Sequence, residues 1–274
     1  MKLRDALKYE AWSGVLNEVR TSQEDLERFV LAVTEYASQF KKQKRDPAII
    51  QYEAMGEYER HIDSAFLEPA ERDEYAQIRY PDKFAAKLKI ISAKAETSYC
   101  NPVLQGIDAE FGIYVHAKPK KAHKVLKCLG RRGLADSRVF AERFDIKAMS
   151  NHIAQNTSED ISPQYDLVAL TVEEKTGKKV LEELDFCVKK GYLLQSAQPL
   201  AVKVMPGVGI AQRAFDKEGT EMDEFQDLIY SLAGAGIEKI LKEDTFSPEL
   251  FLGQFKELIK SRGRDAERIH VFEN

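Results

Sequence analysis

The chain has 274 residues, 43% hydrophobic and 31% charged, with 41 Lys and Arg against 45 Asp and Glu; it is too apolar for wholesale disorder and long enough for one large domain or two modest ones. It has no run of about 18 apolar residues to cross a bilayer, and Asp5 and Glu10 interrupt the stretch that a secretory signal would need, so cytoplasmic residence is expected and a membrane partner is not. Cys100, Cys128 and Cys187 are odd in number and far apart, which fits neither a disulfide framework nor a zinc site, and they read as reduced packing residues.

Residues 1–100 carry helical apolar spacing and predict an all-helical unit. Leu3, Leu7, Trp12, Val15, Leu16 and Val19 share one face and predict a first helix. Thr21 and Glu24 stand at capping-box spacing before Leu26, Phe29, Val30, Val33, Tyr36, Ala37 and Phe40, a three-to-four residue rhythm held for four turns. The run KKQKRD places cations at the negative end of that helix, and Asp46 followed by Pro47 restarts a third, with Ile50, Ala54, Tyr58, Ile62 and Phe66. Pro69 and Pro81 punctuate the next stretch, and Asp82 caps a further helix through Phe84, Leu88 and Ile91.

Near residue 108 the period changes, and residues 106–218 read as an internal duplication of two units, about 110–160 and 166–218. Glu110 to Ala117 matches Asp166 to Glu173 as a strand, and Lys124-Val125-Leu126 matches Lys179-Val180-Leu181 within the following helix. Arg131-Arg132-Gly133 matches Lys189-Lys190-Gly191 at that helix's end, where cations and glycine suit the last free carbonyls. Asp145 to Met149 then matches Ala201 to Met205, and Ile153-Ala154-Gln155 matches Ile210-Ala211-Gln212. Each unit reads strand, helix, strand. Two such units either pair into one four-stranded antiparallel sheet of ferredoxin-like type or gather extra strands and become sibling subdomains.

Residues 219–274 read as C-terminal helices packing on that core. Thr220 and Asp223 resemble a cap before Phe225, Leu228, Ile229 and Leu232, and Gly234 and Gly236 interrupt the pattern ahead of Ile237, Ile240 and Leu241. Ser247 and Pro248 begin a last helix that Gly263 ends, and Ile269 and Val271 alternate with His270 as an edge strand. The fold class is therefore α+β.

Tests for chemistry return little. Gly207 and Gly209 lack the third small residue of a dinucleotide fingerprint, where Gln212 stands, and read as a tight turn; Gly177-Lys178-Lys179 lacks the features of a phosphate loop and reads as a helix start. Glu53, Glu57 and His61 lie at four-residue spacing on one helical face, but a di-iron bundle places Glu and His three apart, where Tyr58 stands. No cofactor and no metal are assigned. The acid/base trio that the repeat brings nearest is His116, His152 and Asp166, at the seam of the two units; a surface or satisfied imidazole is the stronger reading of each histidine.

Charge supplies the strongest surface feature. Residues 1–100 carry 16 cations and 18 anions, 101–160 carry 10 and 7, and 161–274 carry 15 and 20. Between 118 and 132 stand Lys118, Lys120, Lys121, Lys124, Lys127, Arg131 and Arg132 and no acid. On a helix, Lys120, Lys124, Lys127 and Arg131 form one stripe, with Ala122, Val125, Leu126 and Leu129 toward the sheet. Such a helix contacts an anionic partner or is an ordinary solvated face. Its counterpart carries Glu182, Glu183 and Asp185, so the duplication did not keep the charge. The central strands lack the aromatic pattern of an RNA-recognition sheet. The expectation is a non-enzymatic binding or regulatory protein that modulates nucleic-acid-processing machinery through a protein partner; direct RNA or DNA binding through 118–132, or an enzyme at the seam, are the alternatives. Helical arms on both sides of a sheet also suit a homodimer.

Overall fold

A computed structural model of the chain describes residues 3–43, 55–71, 111–118, 121, 124–125, 128–129, 140–143, 166–172, 174–212, 214–215, 221–223, 225–242 and 248–272. The expected first helix is two: α1 (Leu3–Tyr9) and α2 (Trp12–Glu18). The break at Ala11, whose backbone is extended, turns Trp12 inward. Its indole Nε1–H donates to the Leu7 carbonyl (2.8 Å), its ring meets Phe111 edge-on at 5.2 Å, and its backbone N–H donates to Glu174 Oε2 (3.1 Å). Burying the largest apolar side chain of the segment offsets the helical hydrogen bonds lost at the break.

Helix α3 (Gln23–Lys42) buries every apolar position of its predicted stripe. Its cap is Ser22, not Thr21: Ser22 Oγ accepts from the Asp25 N–H (3.3 Å), while Thr21 Oγ1 accepts from the Ile269 N–H (3.0 Å). Helix α4 (Met55–Phe66) buries Tyr58, Ile62 and Phe66, and Pro69 opens a short helical turn beyond it. The Asp46–Pro47 restart, Ile50, Ala54, Pro81 and the helix capped by Asp82 lie outside the described residues.

The predicted strands of the two units, β1 (Phe111–Ala117) and β3 (Asp166–Val172), are antiparallel neighbours, with Tyr114 opposite Ala169. They share one sheet, so among the described residues the two units do not form separate sheets. The sheet is not four-stranded either. Adding β2 (Phe140–Arg143), β4 (Val202–Met205) and β5 (Val208–Gln212), its order is β2-β3-β1-β5-β4 with every neighbour antiparallel. The second unit closes with a hairpin because Gly207 turns at φ +70°, carries no side chain, and accepts the His116 N–H at 2.7 Å; a β-carbon there would stand 2.8 Å from the His116 carbonyl oxygen. The tight turn expected at Gly207 is therefore present. The strand expected over 145–149, with 153–155 after it, lies outside the described residues; β2 sits a few residues earlier.

Helix α5 (Glu174–Lys189) begins at the predicted helix start and stops by the predicted chemistry. Gly191 adopts φ +64°, its N–H bonding to the Val188 carbonyl and that of Tyr192 to the Cys187 carbonyl, a Schellman ending. Asp185 pairs with Arg4 of α1 and with Lys189 (2.7 Å), and these partners hold its carboxyl below the usual range. Asp185, one of the acids that distinguish this helix from its basic counterpart, thus docks α1.

Helix α6 (Phe225–Lys242) is continuous through Gly234 and Gly236. Instead of breaking it, these glycines admit neighbours: a β-carbon at 236 would lie 2.3 Å from Phe251 and one at 234 would lie 3.0 Å from the Tyr58 hydroxyl. Of the predicted cap, Asp223 falls in β7 (Glu221–Asp223), paired with β6 (Ala214–Phe215), and Thr220 lies outside the described residues. Helix α7 (Pro248–Ser261) ends at Gly263, and the expected edge strand is instead a separate hairpin, β8 (Arg264–Asp265) and β9 (Arg268–Phe272). Asp265 Oδ1 closes its turn by accepting the Glu267 and Arg268 N–H groups.

The sheet divides two cores. On one face Phe111, Ile113, Val115, Leu170 and Ile210 pack with α1, α2, α5 and the helical residues Val125 and Leu129. On the other, Tyr114 and Ala211 meet α3, α4, α6 and α7. The described helices of residues 1–100 are therefore split between the two faces. The fold is mixed helix and antiparallel sheet, α+β, and among the described residues no helix is long and apolar enough to cross a membrane.

Candidate functional site

The basic segment leaves β1 at Lys118, whose N–H donates to the Tyr192 carbonyl (2.8 Å), while the Lys121 N–H donates to the Lys118 carbonyl (2.7 Å). Helical residues come next at Lys124, Val125, Cys128 and Leu129. Val125 and Leu129 are fully buried, as the amphipathic reading requires, and Lys124 Nζ stands 5.2 Å from the centroid of the Tyr192 ring. Lys118, Lys121 and Lys124 are half-buried, and none pairs with an acid among the described residues. Lys120, Lys127, Arg131 and Arg132 lie outside the described residues, as do Ala122 and Leu126.

Sequence reasoning assigned Lys189 and Lys190 only to ending a helix. The structure brings their helix end against the basic segment, because Tyr192 supplies both the acceptor for Lys118 and the ring beside Lys124. Lys190 Nζ stands 5.5 Å from the centroid of the half-exposed Phe186 ring. Cation–ring contacts at such exposed positions are worth about 0.5–1 kcal/mol. The match of Lys189-Lys190 to Arg131-Arg132 was the available signal that both helix ends carry cations.

The seam trio does not assemble. His152 lies outside the described residues. His116 is opposite Leu167 and Ala117 is opposite Asp166, so positions 116 and 166 alternate onto opposite faces of the sheet. His116 is instead buried in the sheet's own interior, where loss of water pushes its pKa down to about 4. Gln198 lies beside its ring without hydrogen-bonding geometry, and Nδ1 has no partner. Nearby Glu71 accepts from Ser196 Oγ (2.7 Å), the Gln195 N–H and the Glu68 N–H (3.3 Å). These bonds fasten the turn after α4 to the loop before β4.

Of the three positions weighed for a metal, only the His61 side chain falls among the described residues, the Glu57 side chain lying outside them. Glu53 lies outside the described residues, and His61 Nε2 stands 4.0 Å from Glu35 Oε2 across a cleft of about 460 Å³ between α3 and α4. Among the described residues no three His, Cys, Asp or Glu side chains converge to hold a metal ion. Burial lowers the His61 pKa, opposed by Glu35.

No family model and no curated protein matches the chain. A solved structure titled "The structure of the effector protein from Pseudomonas syringae pv. tomato strain DC3000" is 9% identical over 92% of this chain and 100% of that one, with a TM-score of 0.41. A likeness that loose carries no argument about fold or function.

Proposed function

We propose that this chain is a non-enzymatic binding protein that takes an acidic protein partner on the surface of Lys118, Lys121 and Lys124, bordered by Lys189 and Lys190, and that it modulates nucleic-acid-processing machinery through that contact. The supporting observation is the meeting of the end of α5 with the start of the basic segment at Tyr192, whose carbonyl takes the Lys118 N–H and whose ring stands beside Lys124; Lys118, Lys121 and Lys124 pair with no acid among the described residues, while Lys189 pairs with Asp185. Lysines held this way keep their charge available to a partner and give up less freedom on binding. A ferredoxin-like core with one added edge strand is part of the same reading; the order β2-β3-β1-β5 with antiparallel neighbours supports it.

Direct RNA or DNA binding is the second reading, favoured by the pairing of Lys124 with Tyr192 and Lys190 with Phe186, since single-stranded nucleic acid uses cations beside stacking rings. Affinity capture from lysate with and without nuclease separates the two. An acidic protein that survives nuclease and is lost with K118E/K121E/K124E supports the first reading; loss of all capture on nuclease treatment replaces it with the second. Capture unaffected by the triple substitution rejects both.

A further inference from the structure

The hairpin of β8 and β9 closes over residues 16–21, the stretch that carries the chain from α2, on one face of the sheet, to α3 on the other. Backbone and side chains both fasten it. The Thr21 N–H donates to the Glu267 carbonyl (2.8 Å), and Thr21 Oγ1 accepts the Ile269 N–H (3.0 Å). Arg268 Nη1 donates to the Asn17 carbonyl (2.7 Å), and His270 Nε2 donates to the Leu16 carbonyl (3.0 Å). Positions 268 and 270 share one face of β9, so two neighbouring side chains meet two successive carbonyls.

These contacts fix His270 in one protonation form. A carbonyl only accepts, so Nε2 carries the ring's proton and Nδ1 is left with its lone pair. The residue is 1% exposed, and Nδ1 has no hydrogen-bond partner among the described residues. A second proton would put an N–H where nothing accepts it and a charge where cations already stand. Arg264 of β8 donates to the adjoining Ile269 carbonyl (3.3 Å), Arg268 lies two positions before the ring, and the Asp265 carboxylate is engaged by Arg268 Nε (2.7 Å). Of the other elements against β9, α2 has one charged residue, the exposed Glu18, and β5 has none; Arg20, after α2, pairs with Glu267 at the surface (3.6 Å).

We propose that this hairpin is an acid-released latch on residues 16–21, with the His270 ring as its proton sensor. Protonation at Nδ1 drives the ring from its seat, the hairpin lifts, and the connection between the two cores loosens, while α2 stays anchored by Trp12 and α3 by its own buried face. Burial pushes the ring down to about 4 in the closed latch against the Leu16 bond, with Arg264 and Arg268 adding to the shift and Asp265 opposing it; an open, solvated ring returns to 6.5. Below pH 6.5 the open form therefore takes the proton first, and opening gains about tenfold per pH unit down to about 4, or roughly twentyfold from pH 7 to pH 5. The latch is independent of the lysine surface, since it needs only the hairpin and residues 16–21.

The test follows amide hydrogen exchange by NMR on the full chain at pH 7 and pH 5, each rate divided by the intrinsic rate at that pH. Fluorescence of Trp12, the one tryptophan in the chain, monitors global folding. Protection at Thr21 and Ile269 should fall roughly twentyfold at pH 5, with Val30 and Val33 of α3 unchanged and the emission native. H270Q, which keeps a donor and takes no proton, should hold that protection at pH 5; H116Q, which removes the other buried imidazole, should lose it as the wild type does. An equal fall at Val33 makes the opening global and overturns the latch. So does a fall in H270Q as large as in the wild type, or no fall at Thr21 and Ile269. The comparison of Thr21 with Val33 is made on the wild-type chain, so it decides whether or not a variant folds.

Discussion

Gly177 lies so close to Trp12 that a β-carbon on it would stand 2.4 Å from the indole ring. The contact joins α2 to α5 at the point where α2 restarts. G177A should therefore cost about 1–3 kcal/mol by forcing the indole from its seat. At Gly14 in α2, where nothing lies within 4 Å of the same added atom, G14A should stabilise by about 0.5–1 kcal/mol. Urea unfolding midpoints check both; equal shifts for the two variants would contradict the packing described.

Glu71 is a second point of leverage, because one buried carboxylate satisfies two backbone N–H groups and the Ser196 hydroxyl. E71A should leave the Gln195 N–H and the Ser196 hydroxyl unpaired, while the Glu68 N–H keeps Ser196 Oγ (3.1 Å), at a cost of about 1–3 kcal/mol. Hydrogen exchange locates the effect: the Gln195 amide should lose protection first. Unchanged exchange there would remove the fastening role.

Acid should destabilise the chain well before its carboxylates titrate. His116 and His270 are both held near pKa 4 by burial, against an ordinary value of 6.5. Beside His116 stands Glu71, which opposes the shift; beside His270, Arg264 and Arg268 add to it and Asp265 opposes it. Between pH 6.5 and about 4 the unfolded chain binds protons that the folded chain does not, so stability falls as pH falls. Each histidine contributes about 1.4 kcal/mol per pH unit inside that window and nothing above it. Chemical denaturation at pH 7 and pH 5 measures the loss. H270Q, which keeps a donor toward the Leu16 carbonyl, should reduce the pH dependence by one histidine's share.

Salt separates the readings of the lysine surface. If the partner is nucleic acid, the logarithm of affinity should fall linearly with the logarithm of salt, and each Lys118→Glu, Lys121→Glu or Lys124→Glu change should lower that slope by about one. A slope that does not change with any of them would remove phosphate contacts from this surface.

Periodicity made α3, α4 and α5 legible, because each repeats one apolar face over several turns, and β1 and β3 were legible as short, largely apolar runs. Features decided by a distant partner were not. Trp12 sits on the predicted face of the first helix, and its partners far along the chain, Phe111 and Glu174, explain why that helix breaks before it. Gly234 and Gly236 look like interruptions until Tyr58 and Phe251 occupy the space beside them. The inward face of the basic segment was readable from Val125 and Leu129, whereas the part played by Tyr192, Lys189 and Lys190 came from the other unit's helix end. The seam trio failed on alternation: one residue of register separates position 116 from the face of position 166.

The hairpin of β8 and β9 supplies what the segment around residues 16–21 lacks. His270 Nε2 donates to the Leu16 carbonyl, Arg268 to the Asn17 carbonyl, and the Ile269 N–H to Thr21 Oγ1. On the ribosome, α2 and the start of α3 must therefore wait through the synthesis of nearly all the remaining chain before these bonds can close. A nascent polypeptide halted short of residue 264 would carry an unzipped N-terminal edge, exposed to proteases and chaperones until translation resumes.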